Sequence, residues 1–134
     1  MARVTKPGGR VGVTVWSHPE QSPFLDLETA MLARHGSGAQ AAFSVADEQL
    51  RWWFRDAGLN DIKVERIRAE VDLPPVTDFV PQHLQALPWS AGFFALTADE
   101  QAAAINELRA NLAEYETDAG ITVPFSSTLA TATT

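Results

Sequence analysis

Apolar and polar positions change their period several times along this chain, and each change predicts an element. Residues 11–16, Val-Gly-Val-Thr-Val-Trp, form a nearly continuous β-branched run. Such a run suits a strand covered on both faces. Gly12 inside it points to close approach of a helix or of backbone. Pro7-Gly8-Gly9 just before it reads as a turn, because Pro presets φ and Gly permits a positive φ. From 24 to 35 the period becomes helical, with Phe24, Leu25, Leu27, Met31 and Leu32 in the apolar stripe. Gly36-Ser37-Gly38 then supplies a C-cap. Ser44 and Asp47 have capping-box spacing and predict a helix over 45–57, with Leu50, Trp53, Phe54 and Ala57 on one face and Gly58 as its stop.

The second half continues in the same way. Residues 62–71 alternate as a half-buried strand does, with an irregularity between Val64 and Ile67. Leu73-Pro74-Pro75 ends it. A helix is predicted over 79–87, entered through Pro81 and followed by Pro88. Residues 89–94 are apolar and aromatic without a clear period. Thr97 and Glu100 form a second capping box, and the helix it opens is predicted to run to about Asp118, with Gly120 as C-cap. Residues 121–129 read as a last strand, and 128–134 as a fraying tail.

Composition narrows the class. The chain has 134 residues, 46% of them hydrophobic, which predicts one core and one domain. Seventeen acidic residues against ten basic ones give a net charge of −7, and the basic residues are scattered. No basic stripe marks a nucleic-acid partner. There is no Cys, which removes disulfides, thiolate nucleophiles and Cys-based zinc sites. No apolar run approaches the ~20 residues of a membrane span, so no membrane insertion is expected. No secretory signal is present, and the expected location is cytoplasmic.

The candidate chemistry is sparse. His18, His35 and His83 match no helical metal pair, and no metal site is expected. The chain holds no G-x-S-x-G elbow and no phosphate-binding Gly-Lys-Ser/Thr loop. Gly8-Gly9 precedes a strand, whereas a phosphate cradle needs glycines between a strand and a helix N-terminus. His18 is the candidate catalytic residue. It follows the predicted first strand beside Trp16, and ligands of α/β sheets bind outside the carboxyl ends of strands; histidine can act as a base near neutral pH. Trp89, Phe93 and Phe94 lie in a Pro/Gly-flanked segment suited equally to lining a pocket or lid and to plain packing. Trp52-Trp53-Phe54 are expected in core packing. Asp78, Asp99 and Glu100 are first-turn helix charges that favour the helix dipole.

The order of elements, together with Arg3-Val4-x-Lys6-Pro7-Gly8-Gly9-Arg10, resembles class I S-adenosylmethionine-dependent methyltransferases. In that family an R-V-L-K-P-G-G stretch leads into the fifth strand; Thr5 stands here for its Leu. Phe43-Ser44-x-x-Asp47 and the segment from Phe54 to Ile62 look like the family's helix before strand six. The resemblance implies an α/β fold, the C-terminal half of a Rossmann-like methyltransferase sheet. Strands five, seven and six would carry a helical substrate-side insertion. Residues 1–73 would span strand five to strand six, 74–118 the insertion, and 119–134 the last strand and tail of one partial domain. Strand seven would run antiparallel between five and six.

The family's Gly-rich loop and its two cofactor-holding acidic residues have no counterpart here, so no residue is assigned to S-adenosylmethionine, the cofactor implied. Nor is there a counterpart to strand four. The expected function is methyl transfer to a small-molecule or lipid-like acceptor in a complete enzyme, the chain alone being inactive. Trp16, His18, Phe24, Trp89 and Phe93 are the expected acceptor-side residues. The competing expectation is a non-catalytic α+β ligand-binding or dimerisation module. Either way, the edge of strand 11–16 is expected to be exposed and to promote self-association.

Overall fold

A computed structural model describes residues 2–35 and 45–134. Its architecture is α/β, a four-stranded antiparallel sheet with helices. The turn read from Pro7-Gly8-Gly9 is present: Gly8 has a φ of 74°, and the Gly9 N–H donates to the Lys6 carbonyl at 2.8 Å. It delivers the chain into β1 (Arg10–Trp16). β1 pairs antiparallel with β4 (Gly120–Thr133), from Arg10 opposite Thr133 to Trp16 opposite Ser127. The sheet order is β1-β4-β2, where β2 is Asn60–Leu73, and the two-residue β3 (Glu116–Thr117) forms a hairpin with β4. The last strand thus lies between the other two long ones.

β1 corrects one expectation. Val11 is buried and Val13 and Val15 are half-buried, but Gly12, Thr14 and Trp16 are exposed. The strand is covered on one face, because Gly and Thr at alternate positions only look apolar in a β-branched run. Gly12 is not forced by crowding either: a Cβ there would make ordinary contact with Thr131 Cγ2 at 3.9 Å.

The residues fall into two compact units. The first comprises 1–18, 42–68 and 126–134. Its core is small: Val11, Leu50, Phe54, Leu59, Ala130 and Ala132. Helix α2 (Asp47–Asp56) starts two residues later than predicted, with Ala46 at its N-cap; Phe43 and Ser44 lie outside the described residues. Leu50 and Phe54, one turn apart, fill the buried side of α2. Trp52 and Trp53 are 55% and 47% exposed, and Ala57 is exposed too. Both Trp were expected in the core. So narrow a core accepts an i, i+4 pair and leaves the flanking positions outside. The C-terminus does not fray as expected: Thr134 N–H donates to the Gly9 carbonyl at 3.0 Å, and Gly8 N–H to the Thr134 carbonyl at 3.1 Å.

The second unit comprises 19–41 and 69–125. It holds α1 (Pro23–Arg34), α3 (Val76–Gln85), the short α4 (Ala91–Phe94) and α5 (Ala98–Asn111). Its core is larger and includes Phe24, Met31, Leu32, Val80, Leu84, Phe93, Leu108, Leu112 and Val123. The residues proposed to cap the end of α1, Gly36-Ser37-Gly38, lie outside the described residues. α3 begins three residues before the predicted start, with Pro75 at its N-cap and Pro81 inside it. The capping box of Thr97 and Glu100 is present, with Glu100 N–H donating to Thr97 Oγ1 and Thr97 N–H to the Glu100 carboxylate.

α5 stops at Asn111 rather than near Asp118. A 3-10 turn (Ala113–Tyr115) carries the chain into β3, with Leu112 buried in the core and Tyr115 packed against it. Gly120 is therefore not a helix cap. It opens β4 at a φ of 154°, with the Leu73 carbonyl oxygen and Pro74 carbonyl carbon so close that a Cβ would overlap them.

Both long strands shift their burial parity. In β4 the buried positions are Ile121 and Val123, then Ser126, Thr128, Ala130 and Ala132. The slip falls at Pro124-Phe125, where Pro withholds a ladder N–H. In β2 the half-buried positions move from Ile62 and Val64 to Val71 and Leu73, while Ile67, read as apolar-facing, is 45% exposed. Among the described residues no helix is long and apolar enough to cross a membrane.

Candidate functional site

The second unit holds a buried charge facing a histidine. Pro23 occupies the first turn of α1, and the helical period then aligns Phe24, Glu28, Met31 and Leu32 on its buried side. Glu28 is 0% exposed, and neither of its carboxylate oxygens has a hydrogen-bond donor in ideal geometry. Its facing partner is His83 on α3, with Nε2 at 3.4 Å from Glu28 Oε1. That separation lets the imidazole share its proton with the carboxylate but does not fully satisfy either oxygen.

Aromatic rings surround the histidine. α3 sets Phe79 one turn before His83, and the two rings stack at 5.2 Å with planes 16° apart. Phe24 meets His83 edge-on at 6.0 Å and lies 5.7 Å from Phe79 and 6.0 Å from Phe125. The His83 side chain remains 29% exposed, while Glu28 is sealed behind it. Proton sharing with Glu28, and then its negative charge, hold the His83 pKa above the usual histidine value, against the opposing effect of burial. A histidine oriented by a buried carboxylate can bind or accept a proton at its other nitrogen.

The first unit holds a different constellation at the carboxyl end of β1. Ser17, Ser126 and Thr128 are all buried. Ser126 Oγ donates to Ser17 Oγ at 3.0 Å, and Ser17 Oγ and Thr128 Oγ1 are 3.2 Å apart. Ser17 N–H donates to the Ser126 carbonyl at 3.1 Å. The network fixes the chain where it leaves the strand, between exposed Trp16 and exposed His18.

Of the residues singled out from the sequence, Trp16 and His18 belong to the first unit, and Phe24, Trp89 and Phe93 to the second. Phe24 and Phe93 are fully buried members of the second core, and Trp89 is half-buried against it. Trp89 sits in the turn before α4, where Ser90 Oγ donates to the carbonyls of Leu84 and Leu87. Phe94, next to Phe93, is exposed. Asp78, Asp99 and Glu100 lie in the first turns of α3 and α5.

The Glu28–His83 pair was not picked out from the sequence. Its signal was present: Glu28 is one turn after Phe24 and three residues before Met31, so the stripe that predicts α1 already contains a carboxylate. Among the described residues no group of three metal-ligating side chains comes together. An open groove of about 290 Å³ near Pro75, Arg109, Glu116 and Gly120 carries the exposed Arg109–Glu116 ion pair.

No protein-family model matches the chain, and no curated protein matches it.

Proposed function

We propose that these residues form the acceptor-side part of an S-adenosylmethionine-dependent methyltransferase of Rossmann-like fold, acting on a small-molecule or lipid-like acceptor. One observation carries this reading. The last strand lies between β1 and β2 and runs antiparallel to β1, as strand seven does between strands five and six in the family that the Arg3–Arg10 motif resembles. A helix-rich segment between β2 and β4 fits the substrate-side insertion of such enzymes.

The residues present do not themselves fit the cofactor. At Gly9 a Cβ would meet Thr5 Cγ2 at 2.5 Å and the Lys6 carbonyl oxygen at 2.7 Å, so this glycine serves the chain's own turn and leaves no room there for a bound ligand. No contact to S-adenosylmethionine is assigned to this chain. Its own residues would hold the acceptor. Trp16 and His18 follow from their place at the carboxyl end of β1, with His18 as the proton-accepting candidate. Phe24 and Phe93 are fully buried in the core of the second unit and Trp89 is half-buried against it, so the acceptor side is proposed for Trp16 and His18 alone.

The test uses the product of the whole reading frame that contains these residues. Methyl-labelled S-adenosylmethionine is supplied with a panel of phenols, quinols and lipid-like alcohols. Label recovered in an acceptor supports the reading; failure of that product to bind S-adenosylmethionine ends it. A second reading, a dimerisation module, is favoured by β1 standing at a sheet edge with Gly12, Thr14 and Trp16 exposed. Sedimentation velocity separates the two: a tight dimer with no cofactor binding selects the second.

A further inference from the structure

We propose that His83, held by the buried Glu28 and flanked by Phe79 and Phe24, binds the hydroxyl of a planar aromatic compound, a neutral phenol, through its Nδ1. The placement of Glu28 is the starting point. A carboxylate that is fully buried and short of donors is costly, and an apolar side chain at that position would pack without the cost. What Glu28 achieves is the orientation of His83. Its carboxylate faces Nε2, so the neutral imidazole keeps its proton there and presents Nδ1 as an acceptor.

The surroundings select the ligand. Phe79, half-buried and stacked on the histidine, supplies flat apolar surface there, backed by the buried Phe24, which favours a ring over an aliphatic chain. An anionic ligand would be repelled by Glu28, and a ligand without an O–H or N–H would leave Nδ1 unused. A phenol meets all three conditions. The 29% exposure of the His83 side chain gives such a ligand access, while Glu28 stays out of water.

Among the described residues, Glu28 is the only charged group that shifts the histidine. α5, packed against α3, buries Ala104, Ile105 and Leu108. Its Glu107 and Arg109 pair at the surface with Arg34 and Glu116. Phe125 of β4 joins the cluster through Phe24, and Asp78 in the first turn of α3 is exposed. Methyl transfer is not needed for this site to act, so the two proposals fail separately.

The experiment compares 2-naphthol with naphthalene on the intact chain, following the His83 imidazole and Phe79 ring by NMR. Above the His83 titration seen in the same spectra, 2-naphthol binds about tenfold more tightly, the upper range of one net hydrogen bond. The difference fades as His83 is protonated, because Nδ1 can then no longer accept. His83→Phe keeps an aromatic ring and brings 2-naphthol down to naphthalene's affinity. Equal affinities in the native chain overturn the proposal, as does a preference for 2-naphthol that survives His83→Phe or ignores pH. Should His83→Phe fail to fold, the pH series on the native chain decides alone.

Discussion

The two units bury different things. The second surrounds a carboxylate with aromatic and branched side chains and keeps it there: Phe24, Leu84, Phe93 and Leu112 are all but inaccessible, and so is Glu28. The first has a core of six side chains, Phe54 the one aromatic among them, two exposed Trp on α2, and a buried trio of hydroxyls that satisfy one another. A buried hydroxyl trio is nearly self-sufficient, whereas a carboxylate with one partner at 3.4 Å depends on the protonation of that partner. The contrast teaches where to look for chemistry: in the unit whose packing is good enough to impose an unfavourable group, rather than in the one with most exposed aromatic surface.

Four experiments sharpen or break this comparison. The largest effect is expected at Gly120, where a side chain meets both a positive φ and the backbone of Leu73 and Pro74. Gly120→Ala should cost roughly 3–5 kcal/mol by chemical denaturation, from backbone strain and steric overlap together; a cost under about 1 kcal/mol would mean that the hairpin relaxes freely.

Next come the two cores. Phe93→Ala should cost about 3–5 kcal/mol and Leu50→Ala about 2–4 kcal/mol. Hydrogen exchange should show the first mutation lowering protection chiefly in α3 and α5, and the second chiefly in α2 and β1. Uniform loss in both cases would erase the distinction between the units.

The third test concerns pH. The His83 pKa is raised above 6.5 in the folded chain, so its contribution is fully present below about 6.5 and is lost as pH rises through the folded value. The melting temperature should fall across that window, and His83→Phe should flatten the profile. A native profile that is flat above 6.5 would show the pair to be uncoupled from folding. Smallest of all is Trp52→Ser, expected within about 0.5 kcal/mol of the native chain because Trp52 is 55% exposed; a larger loss would place that ring in an interface.

Local signals were the legible part of this sequence. Pro7-Gly8-Gly9 sets its turn with its own dihedral preferences, and Thr97-x-x-Glu100 caps α5 with its own side chains. The stripe of α1 was visible as period, though its Glu28 went unnoticed. What failed were inferences that need a partner surface. Gly12 suggested crowding that no neighbour imposes, and Trp53 suggested a core too narrow to receive it. Gly120 was placed at a helix end because Gly caps helices, yet the close backbone of Leu73 and Pro74 is what requires it.

The candidate site divides the same way. The sequence by itself determined that Trp16 ends a strand and His18 follows it, and that Phe24, Glu28, Phe79 and His83 each fall at helical spacing from a residue of like face. It also determined where β1, β2, β4, α1 and α5 begin to within about two residues, since caps, turns and periodicity act over a few residues. Only the tertiary structure decided that His83 of α3 meets Glu28 of α1, 55 positions apart, and that β4 shifts its burial parity at Pro124-Phe125. The physical reason is range. Turn and cap energies are local and can be read residue by residue, whereas the burial of a charge and the burial parity of a long strand arise from packing between segments that the linear sequence keeps apart.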